Sequence, residues 1–181
     1  VIKPSGVRYS ELSPGNMTVC TLEGEKIDDG TPASLNPSSD TAAVAYVFRH
    51  MPEVGGVVHT HSTYATAFAA LHRPIPCVLT MMGDEFGGEI PVGPFAIIGD
   101  DSIGRGIVET LRSSRSPAVL MANHGPFTVG KNAEAAVKAA AMVEEVARTV
   151  AAAQLLGDPV PVAQEHIDAL YERYQNVYGQ H

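Results

Sequence analysis

The stretch that decides the fold is PAVLMANHGPFTVGKNAEAAVKAAAMVEEVARTVAAAQLLG, residues 117–157. Two short apolar runs flank the Gly-Pro dipeptide at residues 125–126, which marks a turn between two strands. Alanine-rich sequence follows, with Asn132 as a good N-cap residue and Gly157 as a good terminating residue. The pattern therefore predicts two strands and then a long helix of about 36 Å at 1.5 Å per residue.

Strand and helix signals alternate before this stretch. MTVCTLEGEKIDDG, residues 17–30, is typical of a strand, a polar turn and a second short strand. A helix is predicted within residues 36–53, a short buried strand at residues 55–61, and a helix at residues 62–73 with Ser62 as N-cap.

Two further helices are predicted, a short one within residues 98–114 and one in the tail from residue 163 onward. The order of elements indicates a single α/β domain, in which helices cover a mixed or antiparallel sheet.

The composition excludes several classes of protein. The chain has 181 residues, 45% hydrophobic and 18% charged, which is typical of one globular domain. Twelve basic and 20 acidic residues give a net charge of −8, which argues against a partner that is nucleic acid or a membrane surface. Cys20 and Cys77 lie in unrelated contexts and favour isolated thiols in a reducing compartment. With no signal peptide or membrane-spanning run in the sequence, we expect a cytoplasmic protein.

Three histidines follow apolar strands. His59 and His61 stand two apart, so in a strand their rings share one face. His124 follows a different apolar run, and strand-end histidines can meet in space. Two imidazoles and a third ligand are typical of a divalent zinc site, although an isolated His-x-His pair is equally compatible with hydrogen-bonded polar residues. We assign surface or structural roles to the other four histidines: His50, His72, His166 and His181.

Two short segments have the composition of anion-binding turns. Ser38 and Ser39 open a predicted helix, where free N–H groups and the helix dipole favour a phosphate, although simple N-capping is the alternative. Asp40, the next residue, could be a metal ligand or a base. KPSG, residues 3–6, combines a cation, a hydroxyl and a glycine.

Five segments together resemble a known family. VIKPSGVRYSEL, PSSDT, GGVVHTHS, NHGPFTVGKNAEAAV and the terminal YGQ occur in the order found in the class II aldolase and L-ribulose-5-phosphate 4-epimerase family. The similarity covers nearly the whole chain and is greatest to the 4-epimerase branch. It implies a central β-sheet between helical layers, assembled as a C4 homotetramer with active sites at the subunit interfaces. It also implies that residues 1–181 are one such domain, without the family's segment upstream of residue 1.

The resemblance implies a metal site and a phosphate site. His59, His61 and His124 would hold a catalytic Zn²⁺ with Asp40 as a fourth ligand, although such a donor set also accepts Mn²⁺, Co²⁺ or Ni²⁺. The residues implied in binding the phosphate of a sugar substrate are Lys3, Ser5, Gly6, Ser38 and Ser39.

Two reactions in the family share this site. Fuculose-phosphate-type aldolases split a ketose phosphate into dihydroxyacetone phosphate and an aldehyde. The epimerase breaks C3–C4, rotates the aldehyde fragment and rejoins the bond, converting L-ribulose 5-phosphate to D-xylulose 5-phosphate. Both pass through an enediolate, whose charge a Lewis-acidic metal stabilises. The aldolase pattern is Ser-Ser-Glu, whereas this chain has Asp40 after the serines, as in the epimerase pattern.

The resemblance also implies an acid/base pair from a neighbouring subunit. Asp84 matches an aspartate of the epimerase, expected in a loop, and Tyr178 matches the tyrosine of its C-terminal Tyr-Gly-Gln. Thr80 matches a polar position that contacts substrate. The segment 91–111 is shorter than in the epimerase and more similar to the aldolase, so an aldolase remains the alternative function.

A third interpretation is a metal-free interaction module on the same fold, as in adducin head domains. Retention of all three histidines argues against it.

Overall fold

Four strands form one mixed sheet in the computed structural model, which describes residues 1–28 and 30–177. The order across the sheet is β1-β4-β3-β2; β4 is antiparallel to both β1 and β3, and β2 is parallel to β3. The strands are β1 (Gly56–His59), β2 (Val92–Gly93), β3 (Ala118–Met121) and β4 (Gly125–Gly130).

Helices form most of the remaining regular structure. They are α1 (Thr41–His50), α2 (Thr63–Ala70), α3 (Thr80–Phe86), α4 (Ser102–Arg112), α5 (Ala133–Leu156) and α6 (Gln164–Asn176). No helix in the described part of the chain is long and apolar enough to cross a membrane.

The sheet lies between two helical layers. Successive side chains of a strand point to opposite faces, so each face of the sheet packs against a different set of helices. In β3, Ala118 and Leu120 pack with residues of α2, α3 and α5 in one core. Val119 and Met121 pack with residues of α1 and α4 in the other. The predicted α/β architecture, a mixed sheet covered by helices on both faces, is confirmed.

The long helix α5 begins and ends where the sequence indicates. The Asn132 side chain accepts a hydrogen bond from the Ala135 N–H at 2.8 Å, and Gly157 follows the last helical residue. The start of α5 lies directly against β1. A Cβ atom on Gly56 would be 2.6 Å from the Asn132 carbonyl oxygen, so only glycine permits this approach.

Two predictions of local structure were wrong. Residues 17–30 form no named strand within the described part; they pair through isolated bridges, such as that between Cys20 and Lys26. The segment of Asp84, expected to be a loop, is the helix α3. Met82 and Phe86 of α3 are fully buried, so tertiary packing rather than local propensity stabilises this helix.

Candidate metal centre

The three histidines reach one place from two parts of the chain. His59 is the last residue of β1 and is paired with Phe127 of the neighbouring β4. His61 lies two residues further, just before α2, and His124 lies in the tight turn from β3 to β4. Because β1 and β4 are hydrogen-bonded neighbours, the strand register itself places His124 beside the other two.

The rings are close enough to act as ligands of one ion. The ring centroids are 4.7 Å apart for His59 and His61, 4.6 Å for His59 and His124, and 5.2 Å for His61 and His124. One nitrogen from each ring lies within 4.8 Å of the others. The three histidines could therefore hold a metal ion.

Hydrogen bonding fixes the tautomer of His59. Its Nδ1 lies 3.0 Å from the carbonyl oxygen of Pro126, which can only accept, so Nδ1 carries the proton. The lone pair of Nε2 is then free for a metal, as in most protein sites where a second partner orients the ligating ring. The ring also stacks on the buried ring of Phe127, with centroids 4.0 Å apart.

The environment keeps two of these rings neutral. Burial lowers the pKa of His59 to about 4, more than the hydrogen bond to Pro126 and the charge of Asp40 raise it. Burial also lowers the pKa of His124, and the neighbouring His61 acts in the same direction. Neutral imidazole is the form that binds metals, so both rings are ready as ligands at neutral pH.

The donor set fits a divalent transition metal. His59 Nε2 and His61 Nε2 are 3.0 Å apart, and two nitrogens bound to one tetrahedral zinc at about 2.0–2.1 Å would be about 3.3 Å apart. The Oδ1 atom of Asp40 is buried without a hydrogen-bond partner among the described residues. Asp40 does not belong to the close group of ligand atoms, yet its charge influences both His59 and His124. A buried carboxylate oxygen without a partner, on a residue whose charge acts on two of the rings, favours a bound cation at the site.

The turn that carries His124 is held by two unusual backbone conformations. Gly125 has φ of +155°, and a Cβ atom there would lie 2.7 Å from the carbonyl oxygen of Thr60. Asn123 has φ of +57° and donates its backbone N–H to the Ala69 carbonyl at 3.1 Å. The Asn123 side chain is 2.5 Å from Nε2 of His72, which itself has φ of +52°. His72 is expected from the sequence to have a surface or structural role, and its contact with Asn123 shows that it helps to hold this turn.

The two segments assigned to phosphate binding lie side by side. The Ser38 N–H donates to the Lys3 carbonyl at 3.0 Å, and the Ser5 N–H donates to the Asn36 carbonyl at 2.9 Å. Gly6 has φ of +70°, a left-handed turn conformation. The Ser38 hydroxyl donates to Oδ2 of Asp40 at 3.4 Å, which connects this corner to the side chain beside the histidines. Ser39 is exposed at the start of the turn into α1.

Asp84, one of the residues assigned to acid/base chemistry, lies on a different element from the histidines. Asp84 is in α3, where its Oδ1 atom is buried without a partner among the described residues. Thr80 is the exposed first residue of the same helix. Within the described residues, 1–28 and 30–177, no hydrogen bond, ion pair or ring contact joins α3 to the histidines. Tyr178 lies outside the described residues.

Sequence reasoning missed Glu144, in the middle of α5. Its carboxylate accepts hydrogen bonds from the backbone N–H groups of Tyr64 and Ala65 at the start of α2, immediately after His61. Ser62, predicted to cap α2, occupies the N-cap position but makes no capping hydrogen bond with its side chain. No local signal could reveal this contact, because the partners are about 80 positions apart.

Comparison with known proteins gives the family. Residues 1–151 match the model of the class II aldolase and adducin N-terminal domain. A curated relative, L-ribulose-5-phosphate 4-epimerase UlaF of Salmonella paratyphi C (strain RKS4594), is 39% identical over 157 residues, which cover 82% of this chain and 67% of the relative. The chain therefore belongs to the class II aldolase and adducin N-terminal domain family.

Solved structures share the fold. An L-fuculose 1-phosphate aldolase superposes with a TM-score of 0.85 at 24% identity, covering 95% of this chain and 78% of the other. The L-fuculose-1-phosphate aldolase from Thermus thermophilus gives a TM-score of 0.72 at 22% identity, covering 88% and 80%. The predictions of this family, of its fold and of an enzyme are confirmed. The roles of individual site residues, the metal's identity, the oligomeric state and the compartment stay predictions.

Proposed function

We propose that this chain is a zinc-dependent sugar-phosphate epimerase that interconverts L-ribulose 5-phosphate and D-xylulose 5-phosphate. The observation that carries the proposal is the cluster of His59, His61 and His124 beside an aspartate, Asp40, in a chain 39% identical to a relative named as this epimerase. Retro-aldol cleavage of a ketose needs a Lewis acid and a positioned acid/base pair, and a metal held by the histidine cluster would supply the first.

The phosphate corner would anchor the substrate. The hydroxyls of Ser5, Ser38 and Ser39 and the ammonium of Lys3 are the donors that a phosphate prefers. Lys3 Nζ already lies 2.9 Å from the Pro4 carbonyl, so its charge stays near this turn. Because Ser38 also contacts Asp40, an anchored phosphate would bring the sugar's carbon chain toward the histidines.

The reaction then divides among protein groups. A divalent ion held by the three histidines would act as a Lewis acid for the negative charge that develops on substrate oxygens. One member of the pair Asp84 and Tyr178, contributed by a neighbouring subunit of a C4 homotetramer, would remove the proton of the C4 hydroxyl as the C3–C4 bond breaks. After the aldehyde turns over, the other member would return a proton to the C4 oxygen as the bond reforms. Asp40 would place a negatively charged side chain beside the metal.

The test is a product assay on protein stripped by a chelator and reloaded separately with Zn²⁺, Mn²⁺, Co²⁺ or Ni²⁺. Incubation with L-ribulose 5-phosphate should yield D-xylulose 5-phosphate without accumulation of dihydroxyacetone and glycolaldehyde phosphate. Accumulation of those fragments without the epimer would overturn the proposal. Release of dihydroxyacetone phosphate from L-fuculose 1-phosphate at a faster rate would establish the aldolase alternative. The metal that restores most activity identifies the native ion's class.

A further inference from the structure

We infer that Glu144 is a positioning residue for the metal centre, acting from α5 on the start of α2. The inference rests on the proposed metal binding by the three histidines. It concerns a side chain that the chemistry outlined above does not use.

The contact is a complete substitute for a local helix cap. The first turn of a helix has N–H groups without partners inside the helix, and a side chain at the N-cap position ordinarily accepts from them. In α2 that residue is Ser62, whose hydroxyl instead accepts from the Thr60 hydroxyl at 3.3 Å. Glu144 Oε1 accepts from the Tyr64 N–H at 3.0 Å, and Oε2 accepts from the Ala65 N–H at 3.0 Å. A carboxylate also interacts favourably with the positive end of the helix dipole.

The position of this cap links it to two ligands. His61 lies directly before the N-cap of α2, so fixing the first turn of α2 fixes the backbone that presents the His61 ring. At the other end of the same helix, the Ala69 carbonyl accepts from Asn123, the residue before His124. Helix α2 is therefore a rigid spacer between two of the three histidines, and Glu144 holds one of its ends.

Apolar packing alone does not fix this register. Ala65 of α2 is fully buried in the same core cluster as Val143 and Ala147 of α5. These apolar contacts, and those of the larger Phe68 in the same cluster, are non-directional, whereas a carboxylate bound to two N–H groups restricts the position of the helix end. Loss of the carboxylate should therefore loosen the ligand set before it unfolds the protein.

The experiment measures zinc affinity of the full chain by competition with a chelating dye. The variants are Glu144→Gln and Glu144→Ala, and the matched control is Glu145→Gln, whose carboxylate is half exposed and pairs only with Arg148 in the described contacts. Groups that orient metal ligands typically contribute about 10–100-fold to affinity. We expect a loss of roughly tenfold in Glu144→Gln and more in Glu144→Ala, with no change in Glu145→Gln.

A second control separates positioning from stability. Val150→Ala removes buried atoms from the other half of α5, so it should lower the melting temperature of the metal-free protein without changing zinc affinity. If Glu144→Ala does not fold, the isosteric Glu144→Gln decides. The inference is overturned if Glu144→Gln binds zinc as tightly as the unaltered protein does. It is also overturned if Val150→Ala loses as much zinc affinity as Glu144→Gln. Either result leaves the proposed function standing. If the unaltered protein binds no zinc, both the inference and the proposed metal dependence fail.

Discussion

In the histidine cluster, three side chains from two parts of the chain lie with ring centroids between 4.6 and 5.2 Å apart. Asp84 on α3 differs, since its buried Oδ1 atom lacks a partner among the described residues and no polar or ring contact joins its helix to that cluster. The cluster is assembled by the register of adjacent strands, whereas α3 is held by packing against α6. One folded chain thus brings its three candidate ligands together by itself, whereas the proposed acid/base pair is assigned to a neighbouring subunit.

The largest expected effect comes from removing a ligand from the assembled region. His59→Ala should abolish stoichiometric zinc binding and lower activity by more than about 100-fold, because a two-histidine site cannot retain the ion. Equilibrium dialysis followed by metal analysis measures the first effect. His50→Ala is the control, since that exposed ring is hydrogen-bonded within its own helix α1, to the Tyr46 carbonyl at 2.9 Å. Full zinc content in His59→Ala would contradict the assignment of ligands.

Asp84→Asn tests the other region and should separate chemistry from metal binding. Loss of a general acid or base typically lowers kcat by about 10²–10⁴-fold. Zinc affinity should stay unchanged, because no hydrogen bond, ion pair or ring contact among the described residues links α3 to the histidines. Asp158→Asn, at an exposed position after α5, is the matched control.

Oligomers assembled from two different variants test whether the histidines and Asp84 act across a subunit interface. If the site lies between subunits, co-refolded His59→Ala and Asp84→Asn chains should recover activity that neither has alone, because some interfaces then combine intact halves. No recovery in mixtures that do co-assemble would place both residues' functions within one chain.

The pH dependence of the protein's stability should reflect the buried histidines. The folded pKa of His59 is about 4, below the ordinary value of 6.5, so between these values the unfolded chain binds more protons than the folded one. The free energy of unfolding of the metal-free protein should therefore fall as pH decreases from about 6.5 to 4, by roughly 2–3 kcal/mol if the burial of this ring dominates.

Urea unfolding in the presence of a chelator, at several pH values, measures this slope. His59→Gln should reduce it, because an amide does not titrate, while His124, whose pKa burial also lowers, should supply a slope of the same sign. An equally steep slope in His59→Gln and in the unaltered protein would assign the effect to other groups.

The sequence anticipates the cluster better than it anticipates α3. The spacing of His59 and His61 puts both rings on one face, and the Gly-Pro dipeptide, which begins β4, marks the end of the turn that carries His124; these are local signals. Helix α3 has no capping side chain, since Leu79 is its N-cap residue, and contains a glycine. That glycine, Gly83, exists for packing, because a Cβ atom there would lie 2.9 Å from Leu170 of α6.

Long-range contacts also explain the other omissions. Strand β2 has only two residues and exists through its parallel pairing with β3, so no periodic pattern marks it. Glu144 caps a helix that lies about 80 positions away in sequence. Its neighbour Glu145 is also an acidic residue in the same alanine-rich helix, so composition alone cannot distinguish the two.

The smallest expected effect concerns the ion pair that ties α3 to α5 and α6. Lys138 Nζ donates to Glu85 Oε2 at 2.7 Å and also to the Tyr174 hydroxyl, and the Glu85 side chain is only 10% exposed. Lys138 itself is half exposed, so solvent screens the pair and Lys138→Met should lower the free energy of unfolding by about 1 kcal/mol. Arg148→Met breaks a pair that is exposed on both sides, and should change stability by less than about 0.5 kcal/mol. Zinc affinity should be unchanged in both variants; a loss confined to Lys138→Met would show that the two regions are coupled within one chain.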